Sequence, residues 1–206
     1  MMKRNCYIAA SATLTAIVGC DRPETVQTQV PAHRPSRLYS LTDDQQNQRS
    51  DGIAAKEELF RSLRGAFNAS IAENGVADSI HVCKTKAPEL SKLVGNEAGL
   101  KIGRTSFSLR NSSNQPPGWA VSYVKDKVEE EVNVKLADDS LGILVPIRVS
   151  DACITCHGDS SSVDPNVTKA IKSHYPDVKA TGFERGDLRG YFWIEVPAGQ
   201  AGSQAE

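Results

Sequence analysis

From residue 41 onward the apolar positions fall into helical and strand periods. Thr42 and Asp43 can cap a helix, and Phe60, Leu63, Phe67 and Ile71 then recur at spacings of three and four, with Leu59 widening the stripe. Asn74-Gly75 ends this first long helix. A second helix carries Val76, Ile80, Cys83, Ala87, Leu90 and Val94, which fall within roughly 40° of one line at about 100° per residue. Cys83 is therefore expected in the core, while His81, about 140° from that line, should face solvent. Pro88 should kink this helix or start a new one. Residues 100–110 alternate apolar and polar in two stretches and predict a half-buried strand. Residues 111–118, with Pro116-Pro117, predict a loop, and 119–131 a third helix with Trp119, Tyr123, Val124 and Val128 on one side. A strand over 141–149, interrupted by Pro146, is followed by irregular chain over 158–187 and a last strand over 188–196. Residues 198–206 form a polar tail. Helices first and strands later predict an α+β domain over 41–197 with an antiparallel sheet.

The first 19 residues have a different character. Lys3 and Arg4 precede a charge-free stretch from Cys6 to Val18, shorter than the roughly 20 apolar residues a membrane span needs. It reads as the apolar region of a signal peptide. The stretch ends in Ile17-Val18-Gly19-Cys20, which resembles a bacterial lipobox, so Cys20 is expected to carry lipid after cleavage before it. Asp21 would then favour retention on the inner membrane. Residues 20–40 hold Pro23, Pro31 and Pro35 among polar residues and predict an extended tether.

Composition adds exclusions. With 39% hydrophobic and 24% charged residues the chain is ordinary globular material. Its net charge of −1 argues against nucleic acid as a partner. Cleavage removes two of the 24 basic residues and leaves 25 acidic ones, so the mature chain carries −3.

The chemistry sits in Cys153-Ile154-Thr155-Cys156-His157. The spacing C-x-x-C-H is the attachment signature of c-type haem. The two thiols add across the haem vinyl groups, and the adjacent His157 reaches the iron as one axial ligand. A redox dithiol needs no histidine immediately after it, and a four-ligand zinc site would want a second Cys/His pair. One covalent haem c is thus the expected cofactor, and its propionates add two negative charges.

The other axial position is open on these residues alone. Both methionines lie in the signal peptide, which excludes a His/Met pair. The candidates are Cys83, His174, His81 or an empty site, with His33 in the tether. Cys83 has no disulfide partner once Cys6 is cleaved off, Cys20 is lipidated, and Cys153 and Cys156 bind haem. A buried cysteine can be simple packing, whereas coordination would deprotonate the thiol. Lys84 and Lys86 add positive charge nearby.

The chain resembles the haem-containing, PAS-like periplasmic domain family, formerly a domain of unknown function. The resemblance is carried by His81-Val82-Cys83-Lys84-Thr85-Lys86-Ala87-Pro88, Ile102-Gly103-Arg104-Thr105-Ser106, Leu109-Arg110-Asn111, Cys153 to Gly158, Tyr175-Pro176-Asp177, Ala180-Thr181-Gly182-Phe183 and Gly186-Asp187-Leu188-Arg189-Gly190. It runs over about residues 45–197. The family usually has Asn-Pro after the Leu-Arg pair, and this chain has Asn111-Ser112. The resemblance implies a central antiparallel sheet flanked by helices, and His157 and Cys83 as metal ligands. Family members occur alone or as input modules of membrane sensors, and this chain is expected to be the standalone form.

Three functions compete. A membrane-tethered monohaem cytochrome would carry electrons or report redox state, at low potential because a thiolate favours ferric iron. A gas-responsive sensor would release Cys83 on reduction and bind CO or NO. A peroxidase-like enzyme is opposed by the filled sixth position and by the lack of an acid-base histidine, so no catalytic residue is assigned. The expected partners are a redox protein or membrane sensor and the membrane surface, with the domain a monomer or weak homodimer on the periplasmic side.

Overall fold

The computed structural model describes residues 40–177 and 180–199. Residues 1–39, with the expected signal peptide, the expected lipidation site Cys20, Asp21 and His33, and the tail from residue 200 lie outside the described residues. Among the described residues no helix is long and apolar enough to cross a membrane.

The order of elements is α1 (Asp43–Asp78), α2 (Ile80–Glu97), β1 (Lys101–Thr105), a 3-10 turn (Gly118–Ala120), α3 (Val121–Lys125), β2 (Val132–Lys135), β3 (Leu141–Arg148), α4 (Asp151–His157), α5 (Pro165–His174) and β4 (Leu188–Val196). The strands form one antiparallel sheet in the order β1-β4-β3-β2. The molecule is therefore α+β, with helices flanking an antiparallel sheet and a long helix leading the domain.

Thr42 begins α1 as expected. Its hydroxyl accepts from the Gln45 amide at 3.3 Å, and the Gln45 side chain accepts from the Thr42 amide at 3.1 Å. The glycine signal at the far end also holds, in a modified form. Gly75 leaves the helical conformation (φ 78°), but one further turn follows before α2 begins at Ile80. The buried Ser79 hydroxyl donates to the Gly75 carbonyl at 2.6 Å and closes this corner. Helix α2 runs through Pro88 without starting anew.

Each face of the sheet buries its own set of side chains. Leu59 of α1 and Val94 of α2 cover Ile102, Ile143, Phe192 and Ile194 on one face. Leu59, Ile143 and Ile194 are wholly buried, each contributing about 1.5–3 kcal/mol. The opposite face packs Leu144 and Tyr191 against Ala120, Tyr123 and Val124. A smaller third cluster joins Ile80 to Cys156, Val163, Val167, Ile171 and Tyr175. It lies where the α1–α2 corner meets α4 and α5.

Three expectations fail locally. The predicted helix over 119–131 stops at Lys125, because Lys127 takes a left-handed conformation (φ 53°). Val132 and Val134 then enter the sheet as β2, partly buried with the second cluster. The stretch 158–187 contains α5, started by Asp164, whose carboxylate accepts from the Asn166 amide at 2.7 Å, with Pro165 in the first turn. The strand predicted over 100–110 ends at Thr105.

Candidate functional site

Cys153, Cys156 and His157 lie on α4, at positions i, i+3 and i+4, so the helix brings all three side chains to one face. Cys156 is buried in the third cluster and Cys153 is half-buried, 3.2 Å from the Ser150 hydroxyl. Helix α4 stops immediately after His157, where Gly158 donates its amide to the Ile154 carbonyl at 2.9 Å.

Residues 180–183 close over this end of α4. Gly182 donates to the Gly158 carbonyl at 2.9 Å, and Phe183 donates to the His157 carbonyl at 3.0 Å. Gly182 makes the turn with φ +79°, a conformation that favours glycine. The same loop holds the imidazole, with His157 Nδ1 2.9 Å from the Ala180 carbonyl. A carbonyl can only accept, so the proton sits on Nδ1 and the Nε2 lone pair is free to bind a metal. The Nε–H of Arg189, 3.2 Å from the same nitrogen, then faces an N–H and makes no bond there. Its working partners are the Ser106 hydroxyl at 2.9 Å and the Ser108 carbonyl at 3.1 Å, with the Phe183 ring 5.3 Å from its guanidinium carbon. Burial, reinforced by the cations of Arg110 and Arg189, pushes His157 down to about 3. The ring is neutral at ordinary pH, the form a metal ligand needs.

Arg104, Arg110 and Arg189 were not singled out by the charge reading of the sequence. Arg104 lies on β1 opposite Phe192, in phase with Ile102 and Ile194, so it occupies a slot that strand alternation reserves for an apolar residue. That misplaced charge was the available signal. Arg110 Nη2 donates to the Cys156 carbonyl at 2.5 Å and to the Ala180 carbonyl at 3.0 Å, while its buried Nε has no partner. Burial pulls all three guanidinium groups down, and the neighbouring Arg110 and Arg104 charges help to bring Arg189 to about 10. Of Lys84 and Lys86, expected near the thiol, Lys84 donates to the His174 carbonyl at 3.0 Å with its ammonium 5.8 Å from the Tyr175 ring centre, and Lys86 pairs with Glu89.

Cys83 is half-buried rather than enclosed with its helix mates. It lies within electrostatic range of Arg104, Arg110, Tyr175 and Cys156, so α2 carries it to the same region as α4. His81 is exposed, as predicted, and its ring is engaged by the Asp78 carbonyl. His174 ends α5. Among the described residues Cys83, Cys153 and Cys156 are free thiols, and no group of three or more His, Cys, Asp or Glu could hold a bare metal ion.

The model of the Tll0287-like family matches residues 24–197. The chain belongs to the Tll0287-like family. Among solved structures, the crystal structure of the cyanobacterial heme-protein Tll0287 resembles it with a TM-score of 0.56 and 18% identity, over 73% of this chain and 94% of that one. No curated protein matches the sequence. For this Tll0287-like chain the structural likeness establishes the fold: the sheet with its flanking helices is common to both proteins.

Proposed function

We propose that this protein is a membrane-tethered monohaem c-type cytochrome with Cys/His axial ligation, serving low-potential electron transfer or redox sensing. The observation that carries the reading is the state of α4. Two unpaired cysteines and a neutral histidine share one face, and the histidine's Nδ1 proton is committed to the Ala180 carbonyl. These residues suit a haem: Cys153 and Cys156 would hold it by thioether bonds and His157 would ligate through Nε2. The orphaned Nε of Arg110 beside Cys156 adds an unsatisfied donor in the same place. The haem supplies a one-electron couple.

Cys83 would be the second axial ligand, delivered from α2, and its negative charge would be offset by Arg104 and Arg110. The Ala180 carbonyl polarises the His157 Nδ1–H and raises the donor strength of Nε2. A lipid on Cys20 would anchor the domain to the periplasmic face of the membrane, where a redox protein or a membrane sensor would meet it.

The purified, exported protein tests this. Alkaline pyridine should give a c-type haemochrome with one haem per chain, resistant to acid-acetone extraction. Electron paramagnetic resonance of the ferric protein should show a low-spin thiolate-ligated signal, and Cys83→Ala should replace it while leaving the haem attached. Identical low-spin signals in both proteins would refute Cys83 as a ligand. Extractable haem would refute the c-type reading.

A further inference from the structure

The three arginines of the site lack the counter-charge that half-buried cations require. The ion pairs formed among the described residues involve Arg49, Lys56, Arg61, Lys86, Lys101, Lys135, Arg148 and Arg185, and none involves Arg104, Arg110 or Arg189. Arginine stays charged in proteins, and an enclosed charge without a partner is strongly unfavourable. Grouping three such charges adds mutual repulsion. Burial together with that repulsion pulls Arg189 down to about 10. A site built this way is incomplete without an anion.

The three side chains differ in what they have left to offer. Arg189 uses Nη1 on Ser106 and Ser108 and its face on Phe183. Arg110 uses Nη2 on two carbonyls and keeps a buried, unused Nε–H. Arg104 makes no hydrogen bond or ion pair with another described side chain. It borders a groove of about 260 Å³ between α2 and β1, together with Ala87, Pro88, Lys92 and Trp193. Ala87 is one helical turn beyond Cys83, so the groove opens beside the proposed ligand.

We propose that Arg104 forms the carboxylate-binding side of the haem site and pairs with its propionates, while Arg110 and Arg189 are positioning residues that buttress the Cys156–His157 end of α4. This rests on the haem reading and goes beyond it, because it assigns the charge balance of the site to residues outside the C-x-x-C-H segment. Two propionates and the Cys83 thiolate carry three negative charges against the three arginines. The arginines therefore oppose the thiolate's preference for ferric iron, and the potential is set between the two.

The test is a spectroelectrochemical titration of the full, haem-loaded chain from pH 5 to 9, for wild type, Arg104→Gln and Arg104→Lys. The haemochrome spectrum comes first: a wild type without covalent haem defeats the haem reading itself, before any arginine is examined. With haem present, Arg104→Gln should lower the ferrous-to-ferric ratio at fixed potential roughly tenfold, a shift of about 59 mV for one electron. It should also introduce a slope in potential against pH, because a propionate without its cation titrates at higher pH. Arg104→Lys should recover part of both effects. A Gln variant with the potential and pH profile of wild type would overturn the proposal. Wild type alone gives a second measure: its potential should not respond to added acetate. A saturable response would place a free anion on the arginines and overturn the propionate assignment.

Discussion

Replacing Gly182 with alanine should isolate the contribution of the loop that orients His157. A Cβ built on Gly182 meets no atom within 4 Å, so the substitution creates no clash. Its whole effect comes from the backbone, which holds φ at +79°. An L-residue there costs about 1–2 kcal/mol. If the loop relaxes instead, it gives up the Gly182–Gly158 and Phe183–His157 hydrogen bonds, each worth about 1 kcal/mol. Both routes lead to a loss of about 1–2 kcal/mol, and only the second disturbs the Ala180 contact with His157 Nδ1. Denaturant unfolding of wild type, Gly182→Ala and Gly182→Asn measures the loss, with asparagine recovering part of it because it tolerates the left-handed region. The ultraviolet-visible spectrum of the haem-loaded proteins reports whether His157 has moved. Alanine and wild type of equal stability would refute the strain argument, as would asparagine proving no better than alanine.

Two other outcomes follow from packing and burial. Gly190→Ala should destabilise the sheet by about 1–3 kcal/mol, because its Cβ would lie 2.3 Å from the Thr105 carbonyl, which is backbone and cannot swing aside; Gly65→Ala, with open space around it, should leave the denaturation midpoint unchanged or raised. Burial pushes Tyr191 and Tyr175 each up to about 12 from an ordinary 10, so the unfolded chain loses these phenol protons first as pH rises. Stability should be complete below pH 10 and fall by about 1.4 kcal/mol per pH unit for each tyrosine between 10 and 12. Tyr191→Phe should remove about half of that slope, and an unchanged slope would show that Tyr191 is not the titrating group.

Where the sequence was legible, one local period governed the fold. The helix read from Thr42 and the strand read over 188–196 both form as predicted, although the stripe from Leu59 to Ile71 is imperfect: Leu59 and Leu63 pack on the sheet, Phe67 packs on the third cluster, and Phe60 is left exposed. Where two surfaces compete, the period blurs. Tyr123, Val124 and Val128 read together as one helical stripe over 119–131, yet the left-handed Lys127 breaks it before Val128, and β3 recruits Val132 and Val134 as an edge strand that the reading did not foresee. Helix α5 was hidden for another reason. Its apolar positions Val167, Ala170 and Ile171 are few, and they become meaningful only against Ile80 and Cys156, which come from distant parts of the chain.

The site divides in the same way. Cys153, Cys156 and His157 were readable because their chemistry depends on spacing within one turn of helix. The arginines depend on three separate segments converging, which no local period reports, although Arg104 did leave a trace. On β1 the alternation places Ile102 and Arg104 on the face that β4 lines with Ile194 and Phe192. An arginine in that phase either disrupts the core or faces something the protein chain does not supply. The surrounding strand pairing is regular through Thr105, so the core is not disrupted. Alternation also fails where β1 ends and the chain turns toward Arg110, so the charged end of the strand marks where the apolar core gives way to the site. A charge in an apolar phase, at the end of an otherwise regular strand, is thus itself a sign of a bound anion, readable once the neighbouring strand's register is known.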